Sequence, residues 1–188
     1  MVYSNGKVAG VLIFIAASQF ILGLIAAEAL YPGYSISTNY ISDLGVGPSS
    51  PVFNVSVFLL GLLGIIGAYF FQRAFHRTMI TILFSITAVA AMTVGIFTEN
   101  SEPMHTIASV FVFLFSGLSA IFSYKITIYP FNIIVILLGL TSLVAMILFM
   151  GNIYFGLGVG GMERMIVYPI LIWMIGFGSF LIAFSEKS

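Results

Sequence analysis

The most concentrated set of reactive side chains lies in segment 98–105. It holds Glu99, Glu102 and His105 between two long apolar runs. Glu102 and His105 have the Glu-x-x-His spacing, which places both side chains on one face if the segment is helical. A carboxylate and an imidazole on one face can hold a metal ion or move a proton. We therefore predict Glu102 and His105 as candidate metal ligands.

The number of histidines limits the kind of metal site. A di-iron carboxylate bundle needs two Glu-x-x-His motifs and two further glutamates. The second histidine, His76, is expected at the opposite membrane face, which excludes that class. A single divalent metal held by His105, Asp43 and a glutamate stays open. The alternative is that His105 is a partly exposed, hydrogen-bonding residue at a helix start.

Glu163 and Arg164 are predicted to open the last helix. A glutamate is favoured there by the helix dipole. An arginine at membrane depth requires an acid partner or an anion. One interpretation is a structural ion pair of Arg164 with Asp43, Glu99 or Glu102. The other is a clamp on a lipid phosphate or an anionic substrate.

Asp43 precedes Leu44 and Gly45, a pattern typical of the end of a short helix with the glycine in the left-handed conformation. Asp43 either caps a neighbouring helix or joins a polar site. We expect the far-separated candidates to converge in one outer pocket, where opposite charges would stabilise one another. The candidate catalytic residues are Asp43, His105, Glu163 and Arg164.

Composition decides which solvent surrounds these residues. The chain is 61% hydrophobic and 6% charged, whereas an ordinary globular domain is roughly 25% charged. So few charges cannot cover a water-exposed surface, so the bilayer must be the solvent. The absence of cysteine excludes disulfides and thiolate metal sites. A formal net charge of zero gives no sign of a nucleic-acid partner.

Six stretches approach the ~20 apolar residues that a membrane-spanning helix requires. They cover residues 8–29, 51–72, 78–97, 106–124, 131–150 and 165–184. The runs are too long and too uniformly apolar for the strands of a barrel. We therefore predict one all-α domain over residues 1–188, an integral membrane bundle of six transmembrane helices.

The basic residues predict the orientation of this bundle. Five of them fall on one side if the chain crosses six times, and basic residues favour the cytoplasmic side. Both termini are then cytoplasmic in a multi-pass cell-membrane protein, and Arg164 is the one basic residue outside. The five on the inner side are Lys7, Arg73, Arg77, Lys125 and Lys187.

Three further features have simpler interpretations. Residues 156–161 match the glycine spacing of dinucleotide-binding loops, but no βαβ unit surrounds them, so we expect a tight loop instead. Gln19, in the middle of the first span, predicts an interhelical hydrogen bond. Tyr34 suits an aromatic belt at the outer membrane interface.

Three segments stand in a characteristic order and spacing. They are Ser42-Asp43-Leu44-Gly45, Gly95-Ile96-Phe97 with Glu99 and His105 after it, and Gly160-Gly161-Met162-Glu163-Arg164. Together they resemble family 998 of the domains of unknown function. The resemblance covers nearly the whole chain and implies a small, mostly prokaryotic (bacterial or archaeal) six-helix membrane protein. It implies no reaction. The family often has proline where this chain has Thr98.

Three functions remain open from the sequence. The first is an outward-facing polar site that handles a membrane lipid or a small molecule, by binding or by hydrolysis with a carboxylate or His105 as base. The second is a structural or accessory subunit, with membrane-protein partners or further copies of itself. The third is a small transporter, which the absence of charged residues from mid-span disfavours.

Overall fold

A computed structural model describes residues 4–185 of the chain, which form six long α-helices. All six are long and apolar enough to cross a membrane, as predicted, and the described part contains no strand. The chain is a multi-pass membrane helical bundle. The helices are α1 (Asn5–Leu30), α2 (Ser50–Phe75), α3 (Thr78–Ile96), α4 (Met104–Phe122), α5 (Phe131–Met150) and α6 (Gly158–Phe184).

The helices form a closed ring in chain order. Each helix packs against the next, and α6 returns to pack against α1. Across the ring, α4 and α6 contact each other only sparsely. This ring encloses a central space, which the candidate site described below occupies.

Local sequence explains most helix ends. Ser4 caps α1 by accepting a hydrogen bond from the amide of Lys7 at 3.3 Å. Pro51 occupies the first turn of α2, where its missing N–H costs nothing. His76 ends α2 in the left-handed conformation, and α3 begins two residues later. The short connection makes α2 and α3 an antiparallel pair.

The largest difference from the predicted boundaries is the start of α6. Helix α6 begins at Gly158 and not near residue 165, so Glu163 and Arg164 lie inside the helix and do not open it. The predicted tight loop at 156–161 is wrong from Gly158 onward, because residues 158–161 form the first turn of α6. A side chain at Gly160 would collide with the backbone of Ile36 and Asn39. Glycine is used here because the outer loop presses directly on the helix.

Small residues allow the helices to approach closely. A side-chain carbon at Gly10 of α1 would lie 2.6 Å from the carbonyl oxygen of Gly178 on α6. Gln19 donates a 3.0 Å hydrogen bond to the carbonyl of Ser56 on α2, which confirms the predicted interhelical bond. Large apolar side chains such as Leu22 and Ile147 point outward and are exposed, as lipid-facing residues are.

The longest connection, residues 31–49, folds back over the ring. We call it the outer loop, after the predicted orientation of the bundle. It contains two short 3₁₀ segments, Ser42–Gly45 and Gly47–Ser49. The short helix around Asp43 was predicted, but the left-handed glycine is Gly47 and not Gly45. Gly45 is needed for space, because a side-chain carbon there would lie 2.9 Å from Oδ1 of Asn54. The loop is therefore seated on the bundle.

The predicted orientation can be tested by labelling, because the chain has no native cysteine. Thr38→Cys places a thiol on the exposed part of the outer loop, and Thr78→Cys places one at the exposed start of α3. We expect a membrane-impermeant maleimide to label Thr38→Cys and not Thr78→Cys in intact cells, and both after permeabilisation. The reverse pattern in intact cells would show that the termini face outward.

Candidate functional site

Arg164 donates four hydrogen bonds at the outer end of the bundle. It lies in the second turn of α6 and is only 5% exposed. Its Nη2 donates to Oε1 of Glu28 at 2.6 Å and to the hydroxyl of Tyr34 at 2.7 Å. Its Nη1 donates to the carbonyl oxygens of Ile36 and Gly160 at 3.1 and 3.0 Å. The guanidinium thus joins α6, α1 and the outer loop.

The sequence predicted Asp43, Glu99 or Glu102 as the acid partner of Arg164. In the structure the partner is Glu28. Glu28 lies near the outer end of α1, and the return of α6 to α1 brings the two side chains together. The terminal nitrogens of Arg164 are not free to form the predicted phosphate clamp, because each of them already donates to two acceptors. Arg164 is therefore placed to position the outer loop.

Tyr34 completes this arrangement through its hydroxyl group. Its hydroxyl accepts from Arg164 and donates to the carbonyl of Tyr40 at 3.0 Å. Burial raises the pKa of Tyr34 to about 12, while the adjacent guanidinium opposes that shift. The phenol stays neutral at physiological pH and serves as a hydrogen-bond donor within the loop.

Glu163 is adjacent to Arg164 in sequence but has different surroundings. It is 6% exposed, and its Oε2 accepts a 2.5 Å hydrogen bond from the amide of Ile41. Glu163 also lines the central space of the bundle, together with Ser42 and His105. Oε2 of Glu163 thus attaches the outer loop to α6, and the side chain lines the central space.

Asp43 has local partners within the outer loop. Its Oδ2 accepts from the side-chain amide of Asn39 at 2.8 Å and from the backbone amide of Tyr40 at 3.0 Å. Asp43 therefore closes its own turn, and it does not cap a neighbouring helix. It also lies close enough to Glu99 for the two carboxyl groups to interact.

His105 lies in the first turn of α4 and forms a hydrogen bond there, as in the alternative interpretation, but it is buried, with 7% of its surface exposed. Its Nδ1 is 2.9 Å from the carbonyl oxygen of Phe97. Because a carbonyl can only accept, Nδ1 carries the proton of this hydrogen bond and Nε2 remains available. The connection before α4 thus holds the ring in a fixed orientation.

The predicted Glu-x-x-His face does not form. Helix α4 begins at Met104, so Glu102 lies before the helix and is exposed. Its Oε1 accepts from the hydroxyl of Thr106 at 2.7 Å. Between residues 4 and 185, no three His, Cys, Asp or Glu side chains are grouped as metal ligands. The geometry therefore does not assemble the predicted His105, Asp43 and glutamate metal site.

Glu99 occupies the connection between α3 and α4. Burial, the negative charge of Asp43 and a hydrogen bond with Asp43 raise the pKa of Glu99, and His105 and Ser42 oppose that shift. Its Oε2 is buried without a hydrogen-bond partner among the described residues. Two carboxyl groups this close do not both ionise easily, so the pair tends to retain a proton.

Two adjoining spaces lie beneath these side chains. We call the first the outer pocket, a volume of about 330 Å³ that opens between α4, α5 and the outer loop. We call the second the inner cavity, a narrower volume of about 90 Å³ within the ring. They share the lining residues Ser42, His105, Ser109, Phe113 and Glu163.

The inner cavity is apolar and deep. On α6 its lining extends from Glu163 to Met174, and on α4 from His105 to Ser116. Eleven residues of helix at 1.5 Å each correspond to about 16 Å. That depth is about half of the ~30 Å hydrocarbon core of a bilayer. The cavity therefore descends from a polar rim toward the middle of the membrane.

Sequence reasoning missed four of the residues that shape this site. Glu28 lies near the end of the first predicted span but was not considered as a partner of Arg164. Tyr34 gave no signal that distinguishes it from an interfacial tyrosine. Ser42 and Ser109 belong to a chain rich in serine, and their position at the junction of the two spaces follows only from the fold.

Comparisons with known proteins give a family but no activity. The family model described as "Protein of unknown function (DUF998)" matches residues 14–179, which is most of the chain. No curated protein and no solved structure matches the chain.

The Arg164–Glu28 pair can be tested by thermal unfolding of the detergent-solubilised protein. Arg164→Ala leaves Glu28 without its buried partner, which costs on the order of 3–5 kcal/mol. The matched control Arg73→Ala removes an exposed arginine at the opposite end and costs about 0–1 kcal/mol. We expect a much larger fall in Tm for Arg164→Ala. Equal, small falls would contradict a structural role for the pair.

The raised pKa of Glu99 predicts a pH-dependent stability. The folded protein holds this proton more tightly than the unfolded chain, so the contribution of Glu99 is complete below the ordinary value of 4.5 and is lost as pH rises through the folded pKa. We expect Glu99→Gln to lose that dependence and to gain Tm relative to the parent at neutral pH.

The exposed neighbour Glu102 provides the matched control for this measurement. Glu102→Gln should leave the pH dependence of Tm from pH 4.5 upward close to that of the parent chain. Parallel Tm–pH curves for Glu99→Gln and the parent would show that Glu99 is solvated and does not share a proton with Asp43.

Proposed function

We propose that this chain, which belongs to the DUF998 family of proteins of unknown function, binds a single-chain amphiphile taken from the cell membrane. The hydrocarbon chain occupies the inner cavity, and the polar head lies in the outer pocket. The observation that carries this proposal is the junction of the two spaces at Ser42, His105 and Glu163, where an apolar cavity meets a polar pocket.

The depth and the apolar lining of the inner cavity favour a lipid chain. At about 90 Å³ the cavity is smaller than the ~150 Å³ that holds a benzene molecule, so a hydrocarbon chain widens it on entering. Below the rim, its lining is mainly aliphatic and aromatic, with Phe20, Phe84 and Met174 among the deep residues. A hydrophilic solute would lose its hydration there without gaining hydrogen bonds. A hydrocarbon chain has no such hydration to lose. It can extend along the ~16 Å depth of the cavity into one half of the bilayer.

Each polar residue then has a role that its contacts support. Glu163 and His105 lie where the head of the amphiphile meets its chain, and Nε2 of His105 is not used by the hydrogen bond to Phe97. Arg164 is a positioning residue, because it fixes the outer loop whose Ile41 and Ser42 line the upper end of the cavity. If the bound amphiphile is hydrolysed, His105 is the group oriented to act as base.

An accessory subunit without chemistry is the second candidate. The four hydrogen bonds of the Arg164 terminal nitrogens to protein groups and the local bonding of Asp43 favour it, because both residues then serve the fold alone. It does not explain why buried Glu163 and His105 line an apolar cavity. Ligand binding accounts for both observations, so we prefer it.

The single tryptophan, Trp173, allows a direct test. Its ring is 1% exposed and lies 5.9 Å, centroid to centroid, from that of Phe84, which lines the inner cavity. Dodecanol brominated at its terminal carbon should quench Trp173 in a saturable way in micelles of a neutral detergent. Dodecanol brominated beside the hydroxyl should quench less, because its bromine stays near the outer pocket.

A matched pair of variants distinguishes cavity binding from quenching through the micelle. Val167→Phe places a larger side chain in the cavity lining, whereas Val144→Phe makes the same change on the exposed face of α5. We expect Val167→Phe to lose most of the saturable quenching and Val144→Phe to retain it. Equal quenching in both variants, or by both bromine positions, would overturn the proposal.

A further inference from the structure

The outer pocket contains an excess of acidic groups. Glu99, Glu102 and Glu163 line it, and Asp43 is close enough to Glu99 to perturb its ionisation. The outer pocket is a candidate site because it opens onto the inner cavity, and the negative charge alone would not make it one. The acidic groups determine which head group the site can accept.

The basic groups of the described chain do not balance this charge. Arg164 does not line either space, and its two terminal nitrogens are held by Glu28, Tyr34 and backbone carbonyls. His105 is the one basic side chain in the lining of the outer pocket, and its Nδ1 is held by the carbonyl of Phe97. The other described basic residues are at the far end of the bundle.

The outer pocket also has more hydrogen-bond acceptors than free donors. Oε2 of Glu99 is buried and accepts no hydrogen bond within the described part of the chain. The hydroxyl of Thr106 is already donated to Glu102, and the amide of Ile41 to Glu163. A buried acceptor without a donor is unfavourable, so a donor from a ligand would be stabilising there.

From these contacts we infer that the head group bound in the outer pocket is a cation, with a primary ammonium as its simplest form. This inference rests on the proposed function. An ammonium group brings one positive charge and three N–H donors, and it has no acceptor. It therefore supplies both the charge and the donors that the pocket lacks. A carboxylate or phosphate head would be repelled by the glutamates and would add further acceptors.

Competition against the quenching probe tests the charge of the head at constant chain length. Dodecylamine, dodecanol and dodecanoate are titrated into the protein with terminally brominated dodecanol bound, in neutral detergent at neutral pH. A net gain of one charge interaction corresponds to about tenfold in affinity. We expect dodecylamine to displace the probe at about one-tenth the dodecanol concentration, and dodecanoate to displace it least.

Two variants locate the preference in the pocket. Glu163→Gln and Glu99→Gln each replace a carboxyl group by a neutral amide of the same shape, and we expect each to reduce the advantage of dodecylamine over dodecanol severalfold. Glu99→Gln keeps the test available if Glu163→Gln does not fold. Arg77→Gln changes the net charge at the exposed, opposite end and should retain the full advantage.

The outcomes separate this inference from the function on which it rests. Displacement by dodecanoate equal to or stronger than that by dodecylamine would overturn the cationic head and leave amphiphile binding intact. An advantage of dodecylamine that persists in both glutamine variants would also overturn it, since the preference would then arise in the micelle. The absence of saturable quenching by the bromododecanol probe would instead remove the proposed function itself.

Discussion

A buried guanidinium at the edge of a membrane is the constraint on which the outer end of this protein depends. Arg164 cannot be left unpaired there, because an isolated charge outside water is strongly unfavourable. Its four hydrogen bonds come from three elements, α1, α6 and the outer loop. Satisfying one side chain therefore closes the ring between α6 and α1 and fixes a long loop in place.

The position of the neighbouring residue follows from helix geometry. Successive residues on an α-helix are about 100° apart, so Glu163 and Arg164 cannot face the same way. Arg164 faces α1 and the loop, and Glu163 faces the central space. One dipeptide thus holds the loop with one side chain and lines the site with the other, and the Ile41 amide bonded to Glu163 joins the two.

The central space exists because of how the ring is built. Close contacts through small residues run around the ring, as between Gly10 and Gly178, while α4 and α6 contact each other sparsely across it. In a bilayer there is no hydrophobic force that must collapse such a gap, because lipid tails are as apolar as the lining. An apolar cavity with a polar rim is accordingly a natural place for a membrane amphiphile.

The sequence by itself determined the fold class and the helices to within a few residues at most ends, because hydropathy over ~20 residues reflects a strong local constraint of the bilayer. It also singled out Asp43, His105, Glu163 and Arg164, because charged groups are rare in such a chain. It did not predict the extension of α6 back to Gly158, since a glycine-rich turn looks locally like a loop.

Only the tertiary structure decided which of these residues meet. The Arg164–Glu28 pair joins residues 136 positions apart, and no local pattern distinguishes Glu28 from Asp43 or Glu99 as the partner. The placement of Glu102 outside α4 and the contact of His105 with Phe97 depend on a connection whose shape hydropathy does not specify. The inner cavity depends on the spacing of the five helices that line it, which is a property of the closed ring and of no single segment.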